Sequence, residues 1–214
     1  MCGRFVMLSA EEVADVVAAV ERRAGLRALN ADPGIVRAQA RPGSVVATIA
    51  REGDALAASG RIWGFAAEWS TKPVFNTRIE SALGGSPMWG RALRDGRCII
   101  PAARFFEPHA TETEPSPRTG RPMKRQYAFE APDGLPLLLA GLRQGDRCSI
   151  ITTQPNRWMA PVHDRMPLLL RFDEVAAWLD GAQPPAESST AAFELRVAPE
   201  RPADATAQEQ LPLF

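Results

Sequence analysis

Short strand-like runs separated by turn residues constrain the fold of this chain more than any other feature. Each run is rich in β-branched and large apolar residues and is bounded by Gly, Pro, Asp or Asn, the pattern of strands joined by tight connections. The runs are SVVATIA (44–50), RIWGFA (61–66), RCIIPA (97–102), QYAFEA (126–131), LPLLLAGL (135–142) and CSIITT (148–153). We therefore expect most of a β-sheet to be built from these six runs.

Helical patterns are few and short. In residues 9–25 a serine serves as N-cap, Glu12 completes a capping box three residues later, and a glycine ends the apolar repeat. Residues 86–96 and 173–181 predict two shorter helices, each ending at glycine. Residues 109–125 are polar and contain prolines, so they predict a mobile excursion between strands rather than a domain boundary.

Composition excludes several classes of protein. With 214 residues, 45% hydrophobic and 23% charged, the chain reads as one soluble globular domain with room for a tail. Lys+Arg and Asp+Glu balance at 25 each, which argues against a protein that coats nucleic acid through bulk positive charge. The three cysteines are widely spaced and there are only two histidines, so we expect no disulfide framework, no metal and no cofactor.

No targeting or membrane segment is expected. Charged side chains interrupt the first twenty residues, which is unlike a signal peptide. No run approaches the ~20 apolar residues that span a bilayer. We therefore expect a cytoplasmic, nucleoid-associated protein without membrane contact.

The cysteine directly behind the initiator methionine is the first candidate for chemistry. Removal of Met1 would leave Cys2 with a thiol of pKa about 8.5 and an α-amino group of pKa about 7.7–8.0 on one residue. Both groups are usable nucleophiles near neutral pH. The simpler alternative is a buried apolar cysteine that happens to lie early in the chain.

Three further segments accompany MCGRF in a fixed order: VFNTRIES (74–81), RCIIPAARFFEP (97–108) and PVHDRMPLLL (161–170). With WGFAAEW (63–69) and SIITTQPN (149–156), they make the sequence resemble the SRAP family, the SOS-response-associated peptidases or abasic-site processing proteins.

The resemblance covers about residues 1–200. It implies an α+β fold: a single compact domain over residues 1–200 with a curled, mostly antiparallel β core and a few short helices. Residues 201–214 would then form a flexible tail.

The resemblance also implies a covalent reaction with abasic sites in single-stranded or junction DNA. The ring-opened abasic sugar is an aldehyde, so the Cys2 amine would form a Schiff base and the Cys2 thiol would close a thiazolidine ring. Glu107 would assist sugar ring opening, His163 would help to protonate or stabilise the Schiff-base stage, and Asn76 would hold the amine or the sugar. Peptidase-type removal of Met1 and a lyase activity belong to the same family expectation.

Other residues are expected to bind the DNA. Arg4 and Arg78 match family positions that meet the phosphate backbone, and Trp69 would stack on a base beside the lesion. Glu80 would orient Arg78 or another site residue, whereas Trp63 is expected in the core. A single strand or a junction fits best, because the sugar must enter a pocket that an intact duplex obstructs. We expect a monomer.

Some segments depart from the family pattern, and two other function classes stay open. AQARPG (38–43) and RFFEP (104–108) lack aromatic and glycine residues usual in the family, and WGFAAEW lacks a proline. The first alternative is a thiol autopeptidase that removes Met1 without crosslinking DNA. The second is a non-catalytic module that binds single-stranded DNA.

The last residues carry a separate candidate motif. Residues 202–209 are polar, with Ala and Pro and no apolar periodicity, which predicts a flexible tether. QLPLF (210–214) resembles the peptide by which bacterial repair proteins dock on the DNA polymerase sliding clamp. The partner-binding residues would be Gln210, Leu211, Leu213 and Phe214. Alternatively, these apolar side chains fold back on the domain.

Overall fold

A large β-sheet dominates the computed structural model, which describes residues 2–24, 27–29, 33–68, 70–182 and 193–200. Within these ranges thirteen strands form one mostly antiparallel sheet, and two more pair as a small hairpin. The strands are β1 (Arg4–Met7), β2 (Arg27–Ala28), β3 (Gln39–Ala40), β4 (Val45–Glu52), β5 (Ala55–Trp63), β6 (Phe65–Ala67), β7 (Ser70–Val74), β8 (Asn76–Arg78), β9 (Arg97–Pro115), β10 (Pro122–Glu130), β11 (Leu137–Gln144), β12 (Arg147–Thr153), β13 (Met166–Pro167), β14 (Leu169–Leu170) and β15 (Arg196–Pro199). The helices are α1 (Ala10–Ala24), α2 (Ile79–Leu83), α3 (Pro87–Asp95) and α4 (Val175–Leu179).

This architecture confirms the predicted α+β class with a mostly antiparallel sheet and few helices. All six predicted runs contribute to strands, and the three predicted helices correspond to α1, α3 and a shorter α4. At the start of α1 the Ser9 Oγ accepts a hydrogen bond from the Glu12 N–H at 3.2 Å, and the Glu12 carboxylate accepts one from the Ser9 N–H at 2.7 Å. The capping box therefore forms as the sequence indicates.

The long strand β9 joins the parts of the sheet. Its middle pairs with β1, where Phe5 lies opposite Phe105, and its later residues pair with β10, where Tyr127 lies opposite Glu107. Both pairings contain a register shift, and such bulges bend a strand. The bend brings the N-terminal strand against the segment that carries Glu107.

Alternate residues of the central strands face two hydrophobic clusters. In β9, Ile99 belongs to a helix-side cluster, whereas Cys98 and Ile100 belong to an inner cluster, as the two-residue period of a strand requires. Helix α1 covers the first cluster with its buried valines at positions 13, 16, 17 and 20, each contributing about 1.5–3 kcal/mol. The inner cluster includes Cys2, Phe5, Trp63, Phe105 and Phe129. Trp63 is therefore a core residue, as predicted.

The prediction of a mobile excursion over residues 109–125 was wrong. Strand β9 runs on to Pro115 and β10 begins at Pro122, with Glu114 opposite Met123 and Thr113 opposite Lys124. The polar composition reflects exposure of both faces of this arm. Its prolines lie at the strand ends and in the turn between them, where a missing N–H costs little.

Within the described ranges, no helix is long and apolar enough to cross a membrane.

Candidate functional site

Cys2 lies just before β1, in the inner cluster, and its side chain is fully buried. Its Sγ donates a hydrogen bond to the carbonyl of Arg4 at 3.8 Å. Burial raises the pKa of the thiol well above its usual range, and the negative charge of Glu107 adds to the rise. The thiol is therefore protonated at neutral pH, and any reaction through it needs a proton acceptor nearby. Burial also fits the simpler alternative, so the neighbours of Cys2 must separate the two hypotheses.

Asn76 contacts Cys2 directly. It begins strand β8, which pairs in parallel with β12 and places Asn76 opposite Ile150. Its Nδ2 donates a hydrogen bond to the Cys2 carbonyl at 2.8 Å. Its Oδ1 is buried and accepts no hydrogen bond from the described residues, an arrangement that costs about 1–3 kcal/mol. This oxygen is positioned to accept a hydrogen bond from an amine or hydroxyl group beside Cys2.

Glu107 is a buried carboxyl group on β9, next to the residue that pairs with Arg4. Burial raises its pKa from 4.5 to about 7, although the positive charge of the amino terminus opposes the rise. A carboxyl group with such a pKa exchanges a proton readily at neutral pH. It can therefore act as a general acid and as a general base in successive steps.

His163 ends a turn that Asn156 organises. The Asn156 Oδ1 accepts hydrogen bonds from the N–H groups of Trp158 and Met159, and its Nδ2 donates to the carbonyl of Phe193 at 3.0 Å. This turn fixes the backbone of His163, whose N–H donates to the Met159 carbonyl at 3.0 Å. Asn156 belongs to the SIITTQPN segment, but no sequence pattern predicts its role in this turn.

The hydrogen bonds of the His163 ring define its protonation. Its Nδ1 accepts a hydrogen bond from the Arg165 N–H at 3.0 Å, so in the neutral ring the proton is on Nε2. Burial lowers the pKa of His163, and the charge of the amino terminus lowers it further. The Asp164 carboxylate lies 3.0 Å from Nδ1 and favours the protonated ring. At neutral pH the ring is therefore mainly neutral, with an N–H available to donate.

Arg165, which is nearly buried, forms a fork with the half-exposed Glu80. Its Nη1 and Nη2 donate to the two carboxylate oxygens at 2.8 and 2.9 Å, and Nη2 also donates to the Thr152 carbonyl at 2.8 Å. These hydrogen bonds hold the pKa of Glu80 below its usual range. The fork ties helix α2 to the segment that carries His163. The sequence left open which residue Glu80 orients, and in the structure its carboxylate binds Arg165.

Arg78 and Arg4 differ in their surroundings. Arg78 is exposed at the junction of β8 and α2 and has no ion pair with the described residues. Arg4 is nearly buried, and both of its Nη atoms donate to the Glu200 carboxylate. A phosphate contact by Arg4 would require Glu200 to leave, so that contact stays a prediction.

Several predicted residues lie outside the described residues: Trp69, Gln210, Leu211, Leu213 and Phe214. Their proposed contacts rest on the sequence alone. The described part of the chain contains no group of His, Cys, Asp or Glu side chains that could hold a metal ion.

The structure links the predicted catalytic residues in pairs. Asn76 bonds to Cys2, the Glu107 charge acts on the Cys2 thiol, and the charge of Asp164, the neighbour of His163, acts on Glu107. Cys2 therefore has an amide and a carboxyl group as neighbours, and the imidazole of His163 lies in the segment whose charge reaches Glu107. This set suits proton transfers at a carbonyl or imine carbon.

Comparison with known proteins finds a matching family model and several similar proteins. The family model described as SOS response associated peptidase (SRAP) matches residues 1–206. The abasic site processing protein YoqW of Bacillus subtilis (strain 168) is 29% identical over 204 residues, covering 84% of this chain and 80% of that protein. The abasic site processing protein YedK of Escherichia coli (strain K12) is 27% identical over 194 residues, covering 84% and 79%.

Solved structures show the same fold. A phage-related protein of Bordetella bronchiseptica superposes with a TM-score of 0.66 at 24% identity, covering 94% of each chain. A protein of Bacteroides thetaiotaomicron superposes with a TM-score of 0.66 at 16% identity, covering 96% of this chain and 94% of that one. The match over residues 1–206 spans every element that carries the site. The chain belongs to the SOS response associated peptidase (SRAP) family.

Proposed function

We propose that this protein processes abasic sites in DNA by covalent capture at Cys2. Two relatives bear the name of abasic site processing proteins, and the family match supports the same role here. The observation that carries the proposal is the hydrogen bond from the Asn76 side chain to the Cys2 carbonyl, together with the nearby carboxyl group of Glu107, whose pKa is about 7.

The proposed reaction begins with removal of Met1, which frees the Cys2 amine. Glu107 donates a proton to the ring oxygen of the abasic sugar, its second carboxyl oxygen takes up the proton of the anomeric hydroxyl, and the sugar opens to its aldehyde. The amine then adds to the aldehyde carbon to give a carbinolamine. Loss of water then gives the Schiff base: Glu107 protonates the departing hydroxyl, His163 Nε2–H donates a hydrogen bond to it, and the Glu107 carboxylate accepts the proton that leaves the nitrogen.

The thiol completes the capture. The Cys2 sulfur adds to the imine carbon, its proton passes to the nitrogen by way of the Glu107 carboxylate, and a thiazolidine ring results. Because the thiol is buried and protonated, this step depends on a nearby base. An interior cysteine lacks the amine and would form only a labile hemithioacetal.

The proposed DNA contacts are few. Arg78 is exposed and unpaired within the described residues, so it can bind a phosphate. Trp69 is proposed to stack on a base. Since the chain has no net charge, few phosphate contacts are expected, and affinity should depend only weakly on salt. Single-stranded or junction DNA remains the proposed substrate form.

One gel experiment tests the function. Mature protein is incubated with a single-stranded oligonucleotide that carries one abasic site and is then run under denaturing conditions. The wild type and a Cys148→Ser control, altered at another buried cysteine, should give a heat-stable adduct. The Cys2→Ala variant should give none, and Cys2→Ser should give only an adduct that needs reduction to survive.

The same gel separates the alternatives. Loss of Met1 without any adduct supports an autopeptidase, and retention only under native conditions supports a binding module. Strand cleavage at the abasic site would reveal lyase activity. Equal heat-stable adduct from the wild type and Cys2→Ala would reject the thiazolidine.

A second experiment separates chemistry from binding. The Glu107→Gln and His163→Ala variants should slow adduct formation with little change in DNA affinity, whereas Arg78→Ala should weaken affinity and lower its salt dependence. Arg118→Ala, at an exposed arginine in the arm between β9 and β10, is the matched control. Comparable losses of affinity in Glu107→Gln, His163→Ala and Arg78→Ala would refute these roles.

The C-terminal motif is proposed to bind the DNA polymerase sliding clamp. The proposal rests on residues 210–214 of the sequence, and a tether of this kind would raise the local concentration of Cys2 near stalled DNA. Purified clamp is titrated with the full chain and with its Leu213→Ala/Phe214→Ala variant. Absence of binding, or equal binding by both, would reject the interaction.

A further inference from the structure

We propose that Glu200 is a positioning residue for the reaction at Cys2, and that it acts by holding the side chain of Arg4. The inference rests on the function proposed above, but it concerns a residue that the family motifs do not contain. Glu200 is 196 residues from Arg4 in the chain, and the fold brings the two side chains together.

The Arg4 guanidinium is held on three sides. Its Nη1 donates to Glu200 Oε1 at 2.7 Å, its Nη2 donates to Glu200 Oε2, and Nη2 also approaches Gln126 Oε1 at 3.4 Å. Its central carbon lies 3.9 Å from the centre of the Phe106 ring. The Arg4 and Glu200 side chains are only 10% and 8% exposed. A planar fork with these partners has one favoured arrangement.

This arrangement bears directly on Cys2. Arg4 is the first residue of β1, and its carbonyl accepts the hydrogen bond of the Cys2 thiol. On one side Arg4 lies opposite Phe106, next to Glu107. On the other side, pairing with β3 begins only at Phe5. At Arg4, strand β1 pairs with β9 but not yet with β3, so the contacts of the Arg4 side chain help to hold this end of β1 in place.

Glu200 is itself well fixed. It follows β15, in which Pro199 lies opposite Tyr127 of β10, and its N–H donates to the Gln126 carbonyl at 2.8 Å. Tyr127 in turn lies opposite Glu107. Glu200 and Glu107 are thus placed by one ladder of three strands, β15, β10 and β9. A carboxylate fixed in this ladder holds Arg4, and through it Cys2, in register with the catalytic carboxyl group.

The competing interpretation makes Glu200 a substitute for a DNA phosphate on Arg4. The two interpretations predict different results. A positioning residue affects the rate of capture and leaves affinity unchanged, whereas a phosphate substitute weakens DNA binding, so that its removal raises affinity.

The first readout needs no DNA. The full chain is treated with iodoacetamide, and alkylation of Cys2 is measured by peptide mass spectrometry, with the buried Cys98 and Cys148 as internal references. In Glu200→Gln, Cys2 should react about tenfold faster than in the wild type, because opening at the end of β1 costs less. The two references should not change. Glu200→Asp, which retains the charge, should recover part of the protection.

The second readout uses abasic single-stranded DNA at saturating concentration. Glu200→Gln should form adduct about tenfold more slowly than the wild type while its dissociation constant for DNA stays the same. The matched control is Arg196→Gln, which removes an exposed ion pair between Arg196 on β15 and Glu130 on β10. This control should match the wild type in both readouts.

A double variant guards against misfolding. Arg4→Met/Glu200→Leu replaces the buried pair by apolar side chains, a change that often preserves stability. It should show the same faster alkylation and slower capture as Glu200→Gln. Unchanged Cys2 alkylation in both variants, or a rise in DNA affinity with an unchanged capture rate, would overturn the proposal. If the wild type forms no adduct, the proposed function fails, and the alkylation ratio alone decides whether Glu200 holds Cys2.

Discussion

The buried carboxyl group of Glu107 should make the stability of this protein fall as the pH rises. Its pKa in the folded protein is about 7, against 4.5 in the unfolded chain. Between these values the folded state binds a proton that the unfolded state has released, so the free energy of unfolding decreases with pH. The difference corresponds to about 3 kcal/mol, fully present below pH 4.5 and lost once the pH exceeds about 7.

Urea unfolding from about pH 5 to about pH 8 measures this effect. The Glu107→Gln variant keeps the shape of the side chain but cannot ionise, so it should lack this contribution to the slope. Relative to the wild type, it should gain about 2–3 kcal/mol on going from the lower to the higher pH. The control is Glu68→Gln, which neutralises an exposed carboxyl group.

Parallel pH profiles of the wild type and Glu107→Gln would refute the reasoning. They would mean that Glu107 is solvated or compensated in the folded protein as well as in the unfolded chain. A proton acceptor tuned to neutral pH would then be missing from the proposed mechanism.

Three other predictions follow from local geometry. A Cβ at Gly64, where φ is +125°, would lie 2.5 Å from a proline side chain, so Gly64→Ala should lower the free energy of unfolding in urea by about 1–3 kcal/mol. The control Gly134→Ala, at a glycine with positive φ but open space, should lower it by less, and equal losses of stability would contradict the clash. Arg165→Lys keeps the charge but loses the fork to Glu80, so the thermal midpoint should fall by several degrees, and an unchanged midpoint would show that the fork contributes little. NMR titration of His163 should give a pKa below 6.5, so its contribution to stability is present above that pH and is lost as the pH falls; a value above 6.5 would contradict its burial.

Local patterns predicted the elements that depend on local physics. Helix α1 begins at the predicted cap because the capping box is made within four residues. The arm of residues 109–125 was missed because its order comes from pairing between β9 and β10, which a polar sequence does not reveal. Composition indicates exposure there, but exposure does not exclude a hydrogen-bonded ladder.

The site follows the same division. The resemblance predicts that Asn76 holds the Cys2 amine or the sugar, and in the structure Asn76 donates a hydrogen bond to the Cys2 carbonyl, so that role stays a prediction. The Arg165–Glu80 fork and the Arg4–Glu200 pair were not predicted, since their members lie 85 and 196 residues apart. Charged residues at such separations have many possible partners, and only the register of the strands selects one.

The groups that cost the most to bury lie where the fold can best support them. Glu107 lies on β9, which pairs with four other strands, and Asn76 lies opposite the buried Ile150 of β12. A carboxyl group with a raised pKa and an amide oxygen that accepts no hydrogen bond from the described residues both favour relaxation toward water, which would abolish the proposed chemistry. Strands with neighbours on both sides resist that relaxation. The end of β1 has no such support on its β3 side, and this is the position where the chain adds a buried ion pair.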